Sequence, residues 1–405
     1  MPDALPWDQF TNHNPVASGS DEPVIVIGAG LAGCWMARTL AESGIRVTVL
    51  EAGKLPASGA SSNPAGIVKP FVTRSPGLAM AFYIQAHQYI LQQLLAWNLI
   101  DACQFTACGV VQLVQNPYPV STHYRRLQPD RMEAILGVSC NAHGLLFEQS
   151  GWLNPSALCH ELLQHPSVDV HCSTPVEAIE RLDGPRWKIK GSGKISRIAS
   201  HVVLCTGAAI AQLPLSRHLP ITPARGQITR FAGTNQTATM KRVISGKHYF
   251  IPDAGTVIVG ATFERGVSDA SLKSSDNQSN LAGIRDMLPA LHIDADAIQA
   301  YAGIRATTPD RLPIVGPLPD TLACGEAYAD LYHGRKFSSY PDLPCHSGAY
   351  VLGGLGSRGI VTAPYAARLL TDHLRGGHQL SQWAPLTNPA RFQIRNLKRT
   401  NIDQI

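Results

Sequence analysis

The apolar run Pro23-Val-Ile-Val-Ile27 leads directly into Gly28-Ala-Gly30-Leu-Ala-Gly33, and nothing else in the chain constrains its fold as strongly. A run that is apolar at every position suits a parallel strand buried on both faces. Ala32, Met36 and Leu40 then recur at helical spacing as far as Gly44, which is suited to a C-cap. Val47-Thr-Val-Leu50 is a second buried strand ending at Glu51, so the segment forms one strand–helix–strand unit of about thirty residues. In that setting Gly28 makes the turn, Gly30 lets the backbone approach a pyrophosphate, and Gly33 lets helix and strand pack closely. The N–H groups of Ala29, Leu31 and Ala32 and the positive end of the helix face the phosphates. Glu51, 18 residues beyond Gly33, accepts hydrogen bonds from a ribose.

The rest of the chain reads as two interleaved textures. Phe82, Ala86, Tyr89, Gln93 and Trp97 mark a long helix, and Asn154-Pro155 starts another with Asn as N-cap. Val176 to Leu182 alternate and Trp187-Lys-Ile189 returns as a hairpin, before the buried strand His201–Cys205 closes on Thr206-Gly207. From Gly226 to about Gly260 short alternating runs (227–231, 249–252, 257–260) predict an antiparallel sheet, followed by a helix over 280–288 and a strand over 298–305. Tyr350-Val-Leu352 is again a buried strand, Gly353–Gly359 a glycine-rich turn, and 360–374 a helix. The expected fold class is therefore α/β (α+β overall), a Rossmann-like nucleotide-binding domain with an inserted antiparallel-sheet domain. The expected boundaries are a flexible lead-in over 1–22, a nucleotide-binding domain over 22–85, 145–225 and 340–405, and a substrate domain over 86–144 and 226–339.

Glu51 serves NAD or FAD equally. Two features favour a flavin. The strand ending in Thr206-Gly207 supplies a second contact with the dinucleotide, and Gly353-Gly-Leu-Gly-Ser-Arg-Gly359 supplies a second glycine-rich strand–helix junction. Gly356, Ser357, Gly359 and Ile360 there would set a helix N-terminus against the N1–C2=O edge of the flavin.

Composition excludes several classes. Charged residues are only 16 % of the 405, which argues against extensive disorder, and the net charge of +5 is a mild cationic bias. Nine cysteines are scattered without C-x-x-C or paired His spacing, so reduced thiols and no metal site are expected. No signal peptide or membrane-spanning run is found, which predicts a cytoplasmic protein with no membrane partner.

These residues carry a resemblance. The fingerprint, Ser58-Gly-Ala-Ser61, Pro223-Ala-Arg-Gly-Gln227, Gly303-Ile-Arg305 and Thr308-Pro-Asp-Arg-Leu-Pro-Ile-Val-Gly316 resemble the D-amino-acid oxidase and glycine oxidase superfamily of flavoenzymes. Gly59–Gly66, Gly144–Phe147 with Gly151-Trp-Leu-Asn-Pro155, Gly353–Gly359 with Ala363-Pro364, and Asn388-Pro-Ala-Arg-Phe392 are similar to the FAD-dependent C-terminal half of the bifunctional tRNA-modifying MnmC family. Lys69 departs from it, standing where the family usually has an aromatic.

The resemblance implies FAD as cofactor and oxidation of the carboxymethylaminomethyl group on a wobble 2-thiouridine of tRNA to aminomethyl. Glyoxylate is released and molecular oxygen is the final acceptor. That group is an N-substituted glycine. Arg305 and Arg358 would grip its carboxylate, with Tyr249 as a substrate-facing aromatic. Ser61, Ser62, Asn63, Gly66 and Gln227 would lie on the cofactor, and Val176 would offer its backbone to adenine. Arg391, Arg395, Lys398 and Arg399, with Arg125-Arg126 in a loop, are a basic set suited to tRNA phosphates or to solvent. No methyltransferase half precedes residue 22, so a separate tRNA methyltransferase is the expected partner for the next step. Two rival readings stay open: an oxidase of free glycine, sarcosine or a D-amino acid, and a non-catalytic FAD-containing scaffold.

Overall fold

The computed structural model describes residues 5–10, 14–17, 20–192, 196–293, 298–333 and 340–399. The chain divides into two compact units, 1–58 with 162–222 and 306–405, and 59–161 with 223–305. The two units interleave along the chain, crossing after residues 58, 161, 222 and 305. Residues 59–85 and 145–161 belong with the antiparallel sheet, and 306–339 with the parallel one.

The first unit holds a six-stranded sheet in the order Ile314–Pro319, Cys345–Gly353, Val202–Leu204, Val24–Ile27, Val47–Leu50, Val168–His171. Five strands are parallel, with Ile27 level with both Leu50 and Leu204, and Leu204 level with Val351. Ile314–Pro319 joins antiparallel at one edge. Its prolines hid it from sequence reading, and an edge is where a strand tolerates residues lacking an N–H. Helix Leu31–Glu42 buries residues on nearly every face, including Trp35, Met36 and Leu40, as a helix enclosed by neighbours should. It packs beside helix Gly359–Leu374. The hairpin at 176–191 forms as expected, with Trp187 opposite Arg181, and Ser196–Ala199 extends it to three strands.

The N-terminal segment is not a loose lead-in where it is described. Trp7 and Phe10 are each 4 % exposed, and Trp7 meets Tyr328 edge-on with ring centroids 5.8 Å apart. Asn388 donates to the Trp7 carbonyl, Val16 N–H bonds to Leu374 O at 2.8 Å, and His201 Nε2 lies 2.8 Å from Asn14 O. Two aromatic anchors, one backbone–backbone bond and two side-chain bonds to backbone carbonyls tie this segment to the first unit.

The second unit is built on a nine-stranded, mainly antiparallel sheet containing Thr222–Ala232, Tyr249–Asp253 and Thr256–Gly260, where alternation predicted strands. Leu281 and Ile284 of helix Ser274–Met287 enter its core. The helix starts six residues before expectation because its first turn is polar and has no apolar period. Asp276 in that turn is instead paired with the fully buried Arg225. Helix Leu78–Ala96 and helix Pro155–Leu162 are present, and Asn154 Oδ1 accepts from Ala157 N–H at 3.1 Å. All nine cysteines are free. Among the described residues no helix is long and apolar enough to cross a membrane.

Candidate active site

In the first unit the predicted residues collect at the carboxyl ends of four adjacent parallel strands. Cys345–Gly353 leads into Gly356–Ile360, Val202–Leu204 into Thr206-Gly207, Val24–Ile27 into Gly28–Gly33, and Val47–Leu50 into Glu51. Ligands of open α/β sheets bind at this edge.

The backbone there permits only glycine at two points. Gly28 has φ +101°, and a Cβ on it would lie 2.7 Å from Cys205 O. A Cβ on Gly33 would fall 1.8 Å from Gly28 O. Gly30 is the N-cap of helix Leu31–Glu42 and offers no side-chain cap, which leaves that helix start suited to a phosphate. The Glu51 carboxylate is buried and holds the turn: Oε2 accepts from Ala29 N–H at 2.6 Å, so that N–H is taken by the acid and does not face the phosphates as expected, while Oε1 accepts from Gly53 N–H at 2.7 Å and Ser58 Oγ at 3.2 Å. A carboxylate has about four acceptor positions, so one remains for a ribose hydroxyl. Thr206 Oγ1 is buried with no hydrogen-bond partner, the kind of orphan that a bound polar ligand relieves.

Val176 starts its strand just after Ser173 and Thr174, whose N–H groups bond to Gly53 O and Glu51 O, so it stands beside the ribose-binding acid. Gly356 is left-handed at φ +56° and its N–H bonds to Ala306 O at 2.8 Å. Ser357 is exposed, and Arg358 is the half-buried N-cap of helix Gly359–Leu374, which no side chain caps. Free backbone conformation, an unused acceptor, an orphan hydroxyl and two uncapped helix starts together fit an adenine dinucleotide.

In the second unit Arg305 lies in a notch opened by Gly226. A Cβ at 226 would fall 1.8 Å from Arg305 Nη1. The guanidinium donates to Thr262 O at 3.3 Å and has no acidic partner among the described residues. Burial lowers its affinity for its proton, and Tyr249 and Tyr301 act in the opposite sense. Arginine stays charged even so. Burial pushes the Tyr249 hydroxyl up to about 12 despite Arg305, and raises Tyr301 likewise, so both remain donors at neutral pH. Tyr249 packs against Gly260, where a Cβ would meet its ring and hydroxyl at 3.0 Å. A desolvated cation flanked by phenols can bind a carboxylate.

Tyr301 was missed by sequence reading. It precedes Arg305 by four residues on one strand, a spacing that places both on the same face. Its hydroxyl lies 2.8 Å from Ser62 Oγ and donates to Gly59 O at 2.9 Å, tying the Ser61-Ser62-Asn63 turn to the arginine strand. Asn63 Oδ1 faces Ala65 N–H at 3.5 Å, Ser61 is buried, and Gly66 opens a short strand paired with Leu153.

Gln227 does not face a ligand. Its amide donates to Lys273 O and Asn277 Oδ1, and its Oε1 accepts from Arg225 and from Lys273 N–H. Every polar position is occupied within the unit, so Gln227 is structural. The basic set is also largely occupied. Arg391 binds Asp310 in bidentate fashion at 2.8 and 2.9 Å, Arg395 stacks on Phe392, and Lys398 lies over Trp7. Arg125 and Arg126 begin a short strand rather than lying in a loop, and Arg125 pairs with Glu148 at 2.9 Å. Lys69 Nζ bonds to Gln112 Oε1 at 2.7 Å and sits over Phe147.

Comparisons with known proteins agree with this geometry. Residues 23–373 match the family described as FAD dependent oxidoreductase (DAO). The tRNA 5-methylaminomethyl-2-thiouridine biosynthesis bifunctional protein MnmC of Pseudomonas putida (strain GB-1) is 33 % identical over 407 residues, covering 95 % of this chain and 61 % of that protein. The protein of the same name from Pseudomonas syringae pv. syringae (strain B728a) is 32 % identical, covering 98 % and 62 %. The chain thus spans about three fifths of these relatives' length. Among solved structures, glycine oxidase from Geobacillus kaustophilus superposes with a TM-score of 0.72 at 21 % identity, over 90 % of this chain and 98 % of that one. Iminodiacetate oxidase from Chelativorans sp. BNC1 superposes with 0.71 at 20 %, with the same coverage. Both share this fold. With the dinucleotide edge and the match over 23–373 in agreement, the chain belongs to the DAO family of FAD-dependent oxidoreductases.

Proposed function

We propose that the chain oxidises the carbon–nitrogen bond of the 5-carboxymethylaminomethyl group on wobble 2-thiouridine in tRNA, leaving aminomethyl and releasing glyoxylate. The observation that carries this reading is the Arg305 guanidinium, set in the Gly226 notch beside two protonated tyrosines and without an acidic partner among the described residues. An N-substituted glycine supplies the missing carboxylate. The names of the Pseudomonas relatives support a tRNA substrate.

When bound, FAD supplies the two-electron acceptor. Arg305 holds the carboxylate and thereby fixes the adjacent methylene, which is catalysis by orientation. Tyr249, whose hydroxyl has no partner among the described residues, donates to the same carboxylate. Loss of a hydride and a proton from the methylene–nitrogen unit leaves an imine, and water splits it into the aminomethyl product and glyoxylate. Arg305→Ala is expected to remove about 3–5 kcal/mol of transition-state binding.

The deciding experiment is anaerobic bleaching of the oxidised flavin band by tRNA carrying the modified uridine, compared with glycine, sarcosine and D-alanine. Rapid bleaching by the tRNA with recovery of glyoxylate is expected. Bleaching by a free amino acid and none by tRNA would assign the chain to the small-molecule oxidases.

A further inference from the structure

Phe263 is 55 % exposed, yet the backbone on both sides of it is held fast. Thr262 N–H bonds to Gln227 O at 3.1 Å, and Thr262 Oγ1 accepts from Gln227 N–H at 3.0 Å. On the other side Glu264 is in register with Arg225 and is bound by Lys273 Nζ at 2.8 Å. Single exposed apolar residues are ordinary. This one is distinguished by its anchoring and its neighbour, for the Arg305 guanidinium carbon lies 5.9 Å from the Phe263 ring centre. The result is a rigid aromatic ledge beside the unpaired cation.

We propose that Phe263 is the platform on which the pyrimidine ring of the substrate nucleotide stacks while Arg305 holds its carboxylate. This rests on the function proposed above and adds a determinant that separates a nucleotide from a free amino acid. Chain length supports it. Four single bonds of about 1.5 Å separate the carboxylate carbon from ring carbon C5, an extended reach of about 5 Å. Adding about 4 Å for the arginine–carboxylate pair puts the pyrimidine centre about 9–10 Å from the guanidinium carbon. Offset-stacked rings have centres about 4.5 Å apart or more, so a ring on Phe263 can lie up to about 10 Å from that carbon. Both are outer limits, and a bent linker within them lets the pyrimidine lie on Phe263 while the carboxylate meets Arg305. Glycine or sarcosine bound through the same carboxylate has no ring to offer.

The test compares the holoenzyme as wild type, Phe263→Leu and Phe263→Trp on 5-carboxymethylaminomethyl-2-thiouridine nucleoside and on tRNA carrying it. Calorimetric binding of N-methylglycine is the ring-free control. Base–aromatic stacking predicts that Phe263→Leu raises KM for nucleoside and tRNA about tenfold or more, and that Phe263→Trp restores it. Affinity for N-methylglycine should be the same in all three proteins. If wild type turns over the ring-bearing substrates and Phe263→Leu leaves their KM unchanged, the platform is refuted while the function stands. Equal weakening of all three ligands refutes it too, since Phe263 would then merely support Arg305. Wild type inert towards both ring-bearing substrates overturns the function and the platform together.

Discussion

Gly226→Ala isolates the notch from the rest of the fold. The added methyl would fall 1.8 Å from Arg305 Nη1 and 2.4 Å from its Cζ, against ordinary contact beginning near 3.4 Å, so the guanidinium must retreat by about 1.6 Å. The clashing atoms are the far end of a flexible side chain, and Gly226 is not among the residues with positive φ. Stability should therefore fall little, or rise by a few tenths of a kcal/mol as the unfolded chain loses freedom. Misplacing an anchoring group by about 1 Å costs roughly 100-fold, so kcat/KM should drop by at least about 100-fold, or 2.7 kcal/mol. The assay is steady-state oxidation of the modified tRNA, with Tm measured on the same preparations. Gly226→Ala added to Arg305→Ala should cost no more than about 0.5 kcal/mol beyond Arg305→Ala alone, because both act through one group. Activity within threefold of wild type at full flavin occupancy would refute the reasoning. So would a loss that adds fully to that of Arg305→Ala.

Thr206→Val removes a hydroxyl that has no partner within the protein, so the apoprotein should keep its Tm while its affinity for FAD weakens about three- to tenfold, as read by fluorescence titration. Unchanged FAD affinity would show that this orphan is not cofactor-directed. Arg391→Leu should lower stability by about 1–3 kcal/mol near pH 7 and leave KM for tRNA unchanged, since Arg391 is held by Asp310. Burial acts to raise the Asp310 carboxyl, but the Arg391 hydrogen bonds and charge prevail and hold it below the ordinary range. That stabilisation is present above the unfolded carboxylate value and disappears as pH falls through the depressed one. The Tm difference between wild type and variant should thus close below about pH 4. Asp8 behaves in the opposite sense. Burial pushes its carboxyl up to about 6 against the pull of Lys398 and Asn388, so the native state holds this proton more tightly than the unfolded chain. Its contribution is full below 3.8 and declines as pH rises to about 6. Asp8→Asn should therefore raise Tm above pH 6 and leave it unchanged below pH 4, and a gain confined to acid would contradict this.

What could be read from the sequence follows from how far each signal reaches. The parallel sheet was legible because each of its central strands is a short apolar run ending at a glycine, a threonine or an acid, and all of that information lies within a few residues. Glu51 needs only Ala29 and Gly53, the turn next to it in the same strand–helix–strand unit. Val168–His171 was missed because its alternating Asp and His resemble a solvated loop, although it pairs with Val47–Leu50 at the sheet edge. Trp7 looked like part of a polar lead-in because the partners that bury it, Tyr328 and Asn388, are more than 300 residues away.

The same distinction separates the arginines. Arg391 and Arg305 are alike as sequence: each follows a short motif and each lies in a region suited to an anion. Only the fold shows that Asp310, 81 residues before Arg391, already occupies the first. For Arg305 the fold supplies a glycine 79 residues earlier whose missing side chain is the space it fills, two phenols that stay protonated, and no described carboxylate. Desolvation penalises an unpaired cation, and a stable protein retains one where a ligand completes it. The proposed anchoring role of Arg305 thus rests on a missing counter-charge, which no local pattern encodes, and Gly226→Ala tests it because it moves the cation without removing it.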